Sequence, residues 1–108
     1  MSARQEALVV FVTAPSADKG MELGRALVQE RLAACANLVP AIHSIYWWEG
    51  RVQEDGEALL LVKTTRDRFE ALRDRVLALH PYQVPEVLAL PVAAGSASYL
   101  EWILRETR

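Results

Sequence analysis

Three side chains in this 108-residue sequence are soft or borderline metal donors, Cys35, His43 and His80, and Glu57 and Glu86 add carboxylate oxygens. None of these pairs falls at the i, i+3 or i, i+4 spacing of a helical metal site, and the four local ligands of a structural zinc site are absent. A histidine at a helix end can instead complete the negative end of the helix dipole. His80 therefore stands either as a C-terminal cap or as a ligand for weakly held copper or another divalent cation. Cys35 could act as an activated thiolate with His43 or His80 only if the fold brought them together. By itself a free cysteine reads as a small, partly buried core residue. The Gly-rich phosphate loop, the paired-His motif, Cys-x-x-Cys and Gly-x-Ser-x-Gly are all missing, so the chain reads as a binding protein rather than an enzyme.

The segment His80-Pro81-Tyr82-Gln83-Val84-Pro85-Glu86 carries two prolines four residues apart, which stiffen the loop. It is either a rigid helix-to-strand connector or one wall of a ligand cleft built from His80, Tyr82 and Glu86. Lys63, one of only two lysines, ends an apolar run. It can serve as a cleft cation or snorkel at a sheet edge. In Tyr46-Trp47-Trp48-Glu49-Gly50 two adjacent tryptophans sit on one extended segment, where neighbours point to opposite faces. One is expected to fill the subunit core and the other a cleft or subunit interface, since exposed aromatic patches on small domains mark interfaces.

Composition sets the frame for these residues. At 52% hydrophobic and 24% charged the chain is of ordinary globular make-up, long enough for one domain over residues 1–108 with a core that needs no disulfide or metal. Its net charge of −2 is spread without a basic run, so nucleic acid is not an expected partner. A single cysteine forms no internal disulfide, and residues 1–6 lack the apolar core of a signal peptide, which together point to the cytoplasm. Leu32 to Trp48 is free of Asp, Glu, Lys and Arg for 17 residues. Asn37, Pro40, His43 and Ser44 and its short length rule it out as a membrane span, so no membrane insertion is expected.

The elements that must position the candidate residues follow from periodicity. Leu8–Ala14 is a continuous β-branched and aromatic run, the pattern of a central strand buried on both faces. Ser16 offers an N-cap to an amphipathic helix over residues 17–34, in which Gly24 permits close packing. Cys35–Trp48 is a long extended stretch with an edge or bulge at Pro40, and it returns through a Glu49-Gly50 turn into a strand over 51–63, which makes Asp55-Gly56 a bulge. Thr64 and Asp67 resemble a capping box for a helix carrying Phe69, Leu72, Val76 and Leu79, stopped by His80-Pro81. A strand over 87–92 and a short helix capped by Ser98 and Glu101 complete the chain. The order defines an α+β, ferredoxin-like split βαβ fold: an antiparallel sheet with helices on one face, a long β-hairpin and an extra C-terminal helix.

Several stretches together resemble the CutA family of divalent-cation tolerance proteins: residues 31–37 (Arg-Leu-Ala-Ala-Cys-Ala-Asn), 44–50 (Ser-Ile-Tyr-Trp-Trp-Glu-Gly), Glu57 with Lys63-Thr64, His80-Pro81-Tyr82 with Pro85-Glu86, and 99–102 (Tyr-Leu-Glu-Trp). The resemblance covers nearly the whole chain. It implies a tight homotrimer, cytoplasmic in bacteria, tied to tolerance of copper and other divalent cations, with clefts between subunits like those of the trimeric PII signalling proteins. A PII-like signalling or scaffold protein without a metal role is the alternative, and an enzyme using Cys35 or His80 a third. The candidate ligand cleft comprises Cys35, Trp48, Glu57, Lys63, Tyr82 and Glu86, with a metal ion or small ligand as partner and His80 as the metal residue. Family members proposed to bind copper carry Cys where this chain has Val12 and a second His where it has Leu79, so only His80 of that set is present. Gln83 stands where many members have Glu.

Overall fold

In the computed structural model, which describes residues 5–108, seven elements follow in the order β1 (Ala7–Ala14), α1 (Ala17–Gln29), β2 (Cys35–Trp48), β3 (Arg51–Thr65), α2 (Arg66–Leu79), β4 (Val87–Pro91) and α3 (Ala97–Glu106). Most of the expected N-terminal segment without a leader, residues 1–4, lies outside the described residues. The strands form one sheet in the order β2-β3-β1-β4, and every pair is antiparallel. This is the split βαβ arrangement: each helix carries the chain across one intervening strand, α1 over β3 and α2 over β1.

Side-chain alternation sorts the sheet into two faces. Val10, Val12 and Ala14 of β1 stand beside Val62, Leu60 and Ala58 of β3, and all six are almost fully buried with Leu23 and Leu27 of α1 and Leu72 and Val76 of α2. The alternate residues, Val9, Phe11, Leu59 and Leu61, are only half-buried, and Leu88 and Leu90 of β4 are exposed on the same side. β1 is thus central, as its composition requires, but one chain covers only one of its faces. The extra helix α3 packs at one end, where Ile103 gathers Ala7 and Ala34 into a second small core. Arg68 Nε donates to the Thr107 carbonyl at 2.6 Å and ties α2 to the end of α3.

The hairpin turn is Glu49-Gly50, with Trp48 opposite Arg51 and both turn residues at positive φ (51° and 76°), the two-residue turn whose twist suits antiparallel strands. The irregularity in β2 lies between Val39 and Ile42, at Pro40, where the edge strand carries one extra residue. Asp55-Gly56, expected as a bulge, is instead regular strand, with Asp55 opposite Ser44 and Gly56 opposite His43. Neither tryptophan enters the subunit core: Trp47 is 73% and Trp48 37% exposed, because the hairpin runs out beyond the helices.

Three helix boundaries differ from the periodic pattern. α1 stops at Gln29 rather than residue 34, because Arg31 takes a left-handed φ of 62° and closes a Schellman end: its N–H donates to Val28 O, and Leu32 N–H donates to Leu27 O. Ser16 caps α1 as expected, accepting from Lys19 N–H at 3.1 Å. The N-cap of α2 is Thr65 rather than Thr64, and Thr64 spends its hydroxyl on Leu32 O at 2.6 Å. α3 begins at Ala97 with Ser96 as its cap residue, so Ser98 already lies inside the helix.

Candidate functional site

Chemistry-bearing side chains gather at two levels of β3, an inner end near Lys63 and an outer group around Glu57, midway along the strand. At the inner end, Cys35 and Lys63 are direct cross-strand partners. Lys63 Nζ donates to Asn37 Oδ1, and the Cys35 thiol lies 3.6 Å from the Tyr99 hydroxyl. That contact and partial burial raise the Tyr99 pKa, and Tyr99 stacks on Trp102 at 5.5 Å. Neither Asn37 nor Tyr99 was read from the sequence as a site residue, and Tyr99 lies 64 residues from Cys35, a separation that no local pattern reports.

In the outer group, six residues along β3 and so about 20 Å away, Tyr82 donates its hydroxyl proton to Glu57 Oε2 at 2.8 Å. Burial first, and then the Glu57 hydrogen bond and charge, push the Tyr82 pKa well above that of a free tyrosine. Glu86 is raised too, by burial and then by the Glu57 charge. Tyr46 donates to Asp55 on the same sheet face, which raises its pKa as well. The stiff loop after α2 therefore does bring Tyr82 and Glu86 to Glu57. Trp48 stands apart, opposite Arg51 at the hairpin tip, so one chain does not assemble the six cleft candidates into a single cavity. Asp55 and Tyr46 belong with the outer group. Their alternation on β2 and β3 and the Glu49-Gly50 turn were legible, but reading Asp55-Gly56 as a bulge disturbed the register that pairs the two.

His80 lies at the junction of α2 and this loop, as the C-cap residue of α2, and is 8% exposed. Its Nε2 is 2.7 Å from the Thr13 carbonyl, and its Nδ1 accepts the Tyr82 backbone N–H at 3.1 Å. A divalent cation at His80 is therefore not matched by its surroundings. Both ring nitrogens are engaged, and among the described residues no group of three His, Cys, Asp or Glu side chains is placed to hold a metal ion. His43, the other histidine, is exposed on the hairpin and paired with Glu54 at 3.1 Å.

Fold and site together define a small ferredoxin-like α+β protein with a polar, tyrosine-and-carboxylate wall and an uncovered apolar sheet face. The chain belongs to the CutA1 divalent ion tolerance protein family, whose model matches residues 8–106. It is 54% identical over 99 residues to the divalent-cation tolerance protein CutA of Thermus thermophilus, covering 92% of this chain and 96% of that one. Protein CutA 1, chloroplastic, of Oryza sativa is 50% identical over 94% of this chain, and human protein CutA 48% over 90%. The chain spans 57% and 54% of those two longer proteins. Among solved structures, the Thermus thermophilus protein superposes with a TM-score of 0.92 at 53% identity, covering 94% of this chain and 99% of that one. The rice CutA1 crystal structure gives 0.93 at 48%, covering 99% and 98%. The rice relative is described as chloroplastic and an Archaeoglobus fulgidus structure as periplasmic, so relatives occupy more than one compartment. Among the described residues no helix is long and apolar enough to cross a membrane.

Proposed function

We propose that this chain is a cytoplasmic homotrimer, a binding protein rather than an enzyme, that takes a divalent cation or small ligand in clefts between subunits and so serves cation tolerance. The observation that carries this reading is the apolar sheet face left open by one chain, Phe11, Leu59, Leu61, Leu88 and Leu90, together with the protruding hairpin, which on its other face exposes Ile45, Trp47 and Val52 beyond the helices. A face of this kind on a small domain calls for a partner surface, and a second and third copy of the same chain supply one that is complementary by symmetry. Joining copies would also let the inner group (Cys35, Lys63) of one subunit and the outer group (Glu57, Tyr82, Glu86) or Trp48 of another line one cleft. Any copper bound there is held weakly, because the described residues of one chain offer carboxylates and no cluster of soft donors.

Sedimentation at micromolar concentration should give one species near three times 12.1 kDa; a stable monomer would remove the trimer. Calorimetry with divalent copper should show weak binding that declines in Glu57→Gln and Glu86→Gln. Absence of any heat in the wild-type trimer would transfer the reading to a PII-like signalling protein without a metal role.

A further inference from the structure

We propose that His80 is a positioning residue rather than a metal ligand: held as the neutral Nε2–H tautomer, it fastens the loop over residues 80–86 to the end of β1 and so sets Tyr82 against Glu57. The tautomer follows from its two partners. A backbone carbonyl can only accept, so Nε2 carries the proton that reaches Thr13 O at 2.7 Å. A backbone N–H can only donate, so Nδ1 offers its lone pair to Tyr82 N–H at 3.1 Å. A neutral imidazole has one lone pair with which to ligate a cation, and here it is spent within the loop. Flipping the ring would aim carbon at both partners and leave a buried carbonyl and amide unpaired.

The location explains why such a fastening is needed. The β1–β4 ladder begins at Val12 opposite Val87, so Thr13 lies just beyond the last paired residue, where a carbonyl would otherwise face a loop. His80 supplies the donor that the absent strand residue does not. The Tyr82 ring packs on the His80 ring with centroids 4.6 Å apart, and its hydroxyl reaches Glu57 Oε2. The relay from Thr13 through His80 and Tyr82 to Glu57 thus joins β1, the loop and β3. Neither neighbour in this relay, Thr13 or Tyr82, adds a soft donor that would make a copper site of it.

The test separates the two ring nitrogens. Asn places its amide oxygen near the Nδ1 position and Gln places its amide nitrogen near the Nε2 position, so His80→Asn should keep the Tyr82 bond and His80→Gln the Thr13 bond. Long-range proton–nitrogen NMR of the wild-type imidazoles at about pH 8, where a histidine is neutral, should show His80 protonated at Nε2, with His43→Gln used for assignment. Adding zinc should leave both His80 nitrogens unmoved. Exchange of the Tyr82 amide should be slow in wild type and His80→Asn and about tenfold faster in His80→Gln and His80→Ala, the loss of one hydrogen bond. Copper affinity should stay within about twofold in both His80→Asn and His80→Gln, well short of the 10–100-fold that even an outer-shell partner of a true ligand commands. The inference is overturned by an Nδ1–H tautomer, by a zinc-dependent shift of the His80 nitrogens, or by a roughly tenfold loss of copper affinity in both amide variants with melting and sedimentation intact. It does not rest on the trimer: a monomer in sedimentation would end that reading and leave the His80 nitrogens as described.

Discussion

At the scale of single residues, the outer group sets two acids, Glu86 and Tyr82, in surroundings that favour their protonated forms. Glu86 is raised above 4.5 by burial and by the Glu57 charge. The native state therefore holds this proton more tightly than the unfolded chain, so its contribution to stability is full below about pH 4.5 and is lost as pH rises through the native pKa. Glu86→Gln removes that dependence. Its melting temperature relative to wild type should be more favourable at pH 7 than at pH 4, and an equal difference at both would show that Glu86 ionises without penalty. Tyr82 follows the same sign at higher pH: its contribution is present below about 10 and lost above it. In Glu57→Gln the hydroxyl should ionise at lower pH than in wild type yet still above 10, because burial, the largest cause, remains. Carbon NMR of labelled tyrosine reads this directly, and an unchanged Tyr82 titration would mean that the Glu57 bond is not made in solution.

At the scale of elements, α1 lies close on the sheet, and its two inward glycines differ. A Cβ on Gly20 would stand 2.8 Å from Leu38 Cδ1, whereas one on Gly24 would meet Ala36 Cβ at 3.4 Å and Leu60 Cδ2 at 3.5 Å, ordinary contact distances. Alanine in a helix interior gains about 1 kcal/mol over glycine, and overpacking costs roughly 1–3 kcal/mol. Gly24→Ala should therefore stabilise by up to about 1 kcal/mol and Gly20→Ala should gain nothing or lose about 1 kcal/mol, as denaturant midpoints will show. The reverse order would place α1 differently over β2. Thr64 supplies a second case. Its fully buried hydroxyl satisfies Leu32 O just beyond the Schellman end of α1, so Thr64→Val should cost about 1–3 kcal/mol through the stranded carbonyl. A loss below that range would mean that water takes its place.

At the scale of the molecule, 44 Å long and 22 Å across its thinnest direction, the elongation comes from the hairpin of β2 and β3 running past the helices. Trp47, 73% exposed, lies outside the core of its own subunit. Trp47→Ala should accordingly leave the fold of one chain intact while weakening assembly by about 2 kcal/mol or more, the scale of a buried aromatic anchor at an interface. Sedimentation over a dilution series and circular dichroism on the same samples distinguish the two effects. Unchanged assembly would mean that the hairpin tip does not take part in it.

The sequence by itself determined what depends on neighbours along the chain. A continuous β-branched and aromatic run placed β1, the 3.6-residue spacing of Phe69, Leu72, Val76 and Leu79 placed α2, His80-Pro81 ended it, and Glu49-Gly50 turned the hairpin into β3, because backbone sterics and side-chain periodicity act over a few residues. Local signals misled where a competing local motif was outbid from elsewhere in the fold: Asp55-Gly56 reads as a bulge but is held in regular strand opposite Ser44 and His43, and Thr64 reads as a cap but donates to Leu32. No glycine, asparagine or proline marks Arg31, so the end of α1 was silent in the sequence. Only the tertiary structure decided the chemistry of the site. Glu57 and Tyr82 are 25 residues apart, Cys35 and Tyr99 64, Thr13 and His80 67, and no periodic pattern reports such pairs. Side-chain type fixes what a residue is able to donate or accept, but which of those capacities remains free is settled by the partners that folding brings within 3 Å, and at His80 folding leaves none.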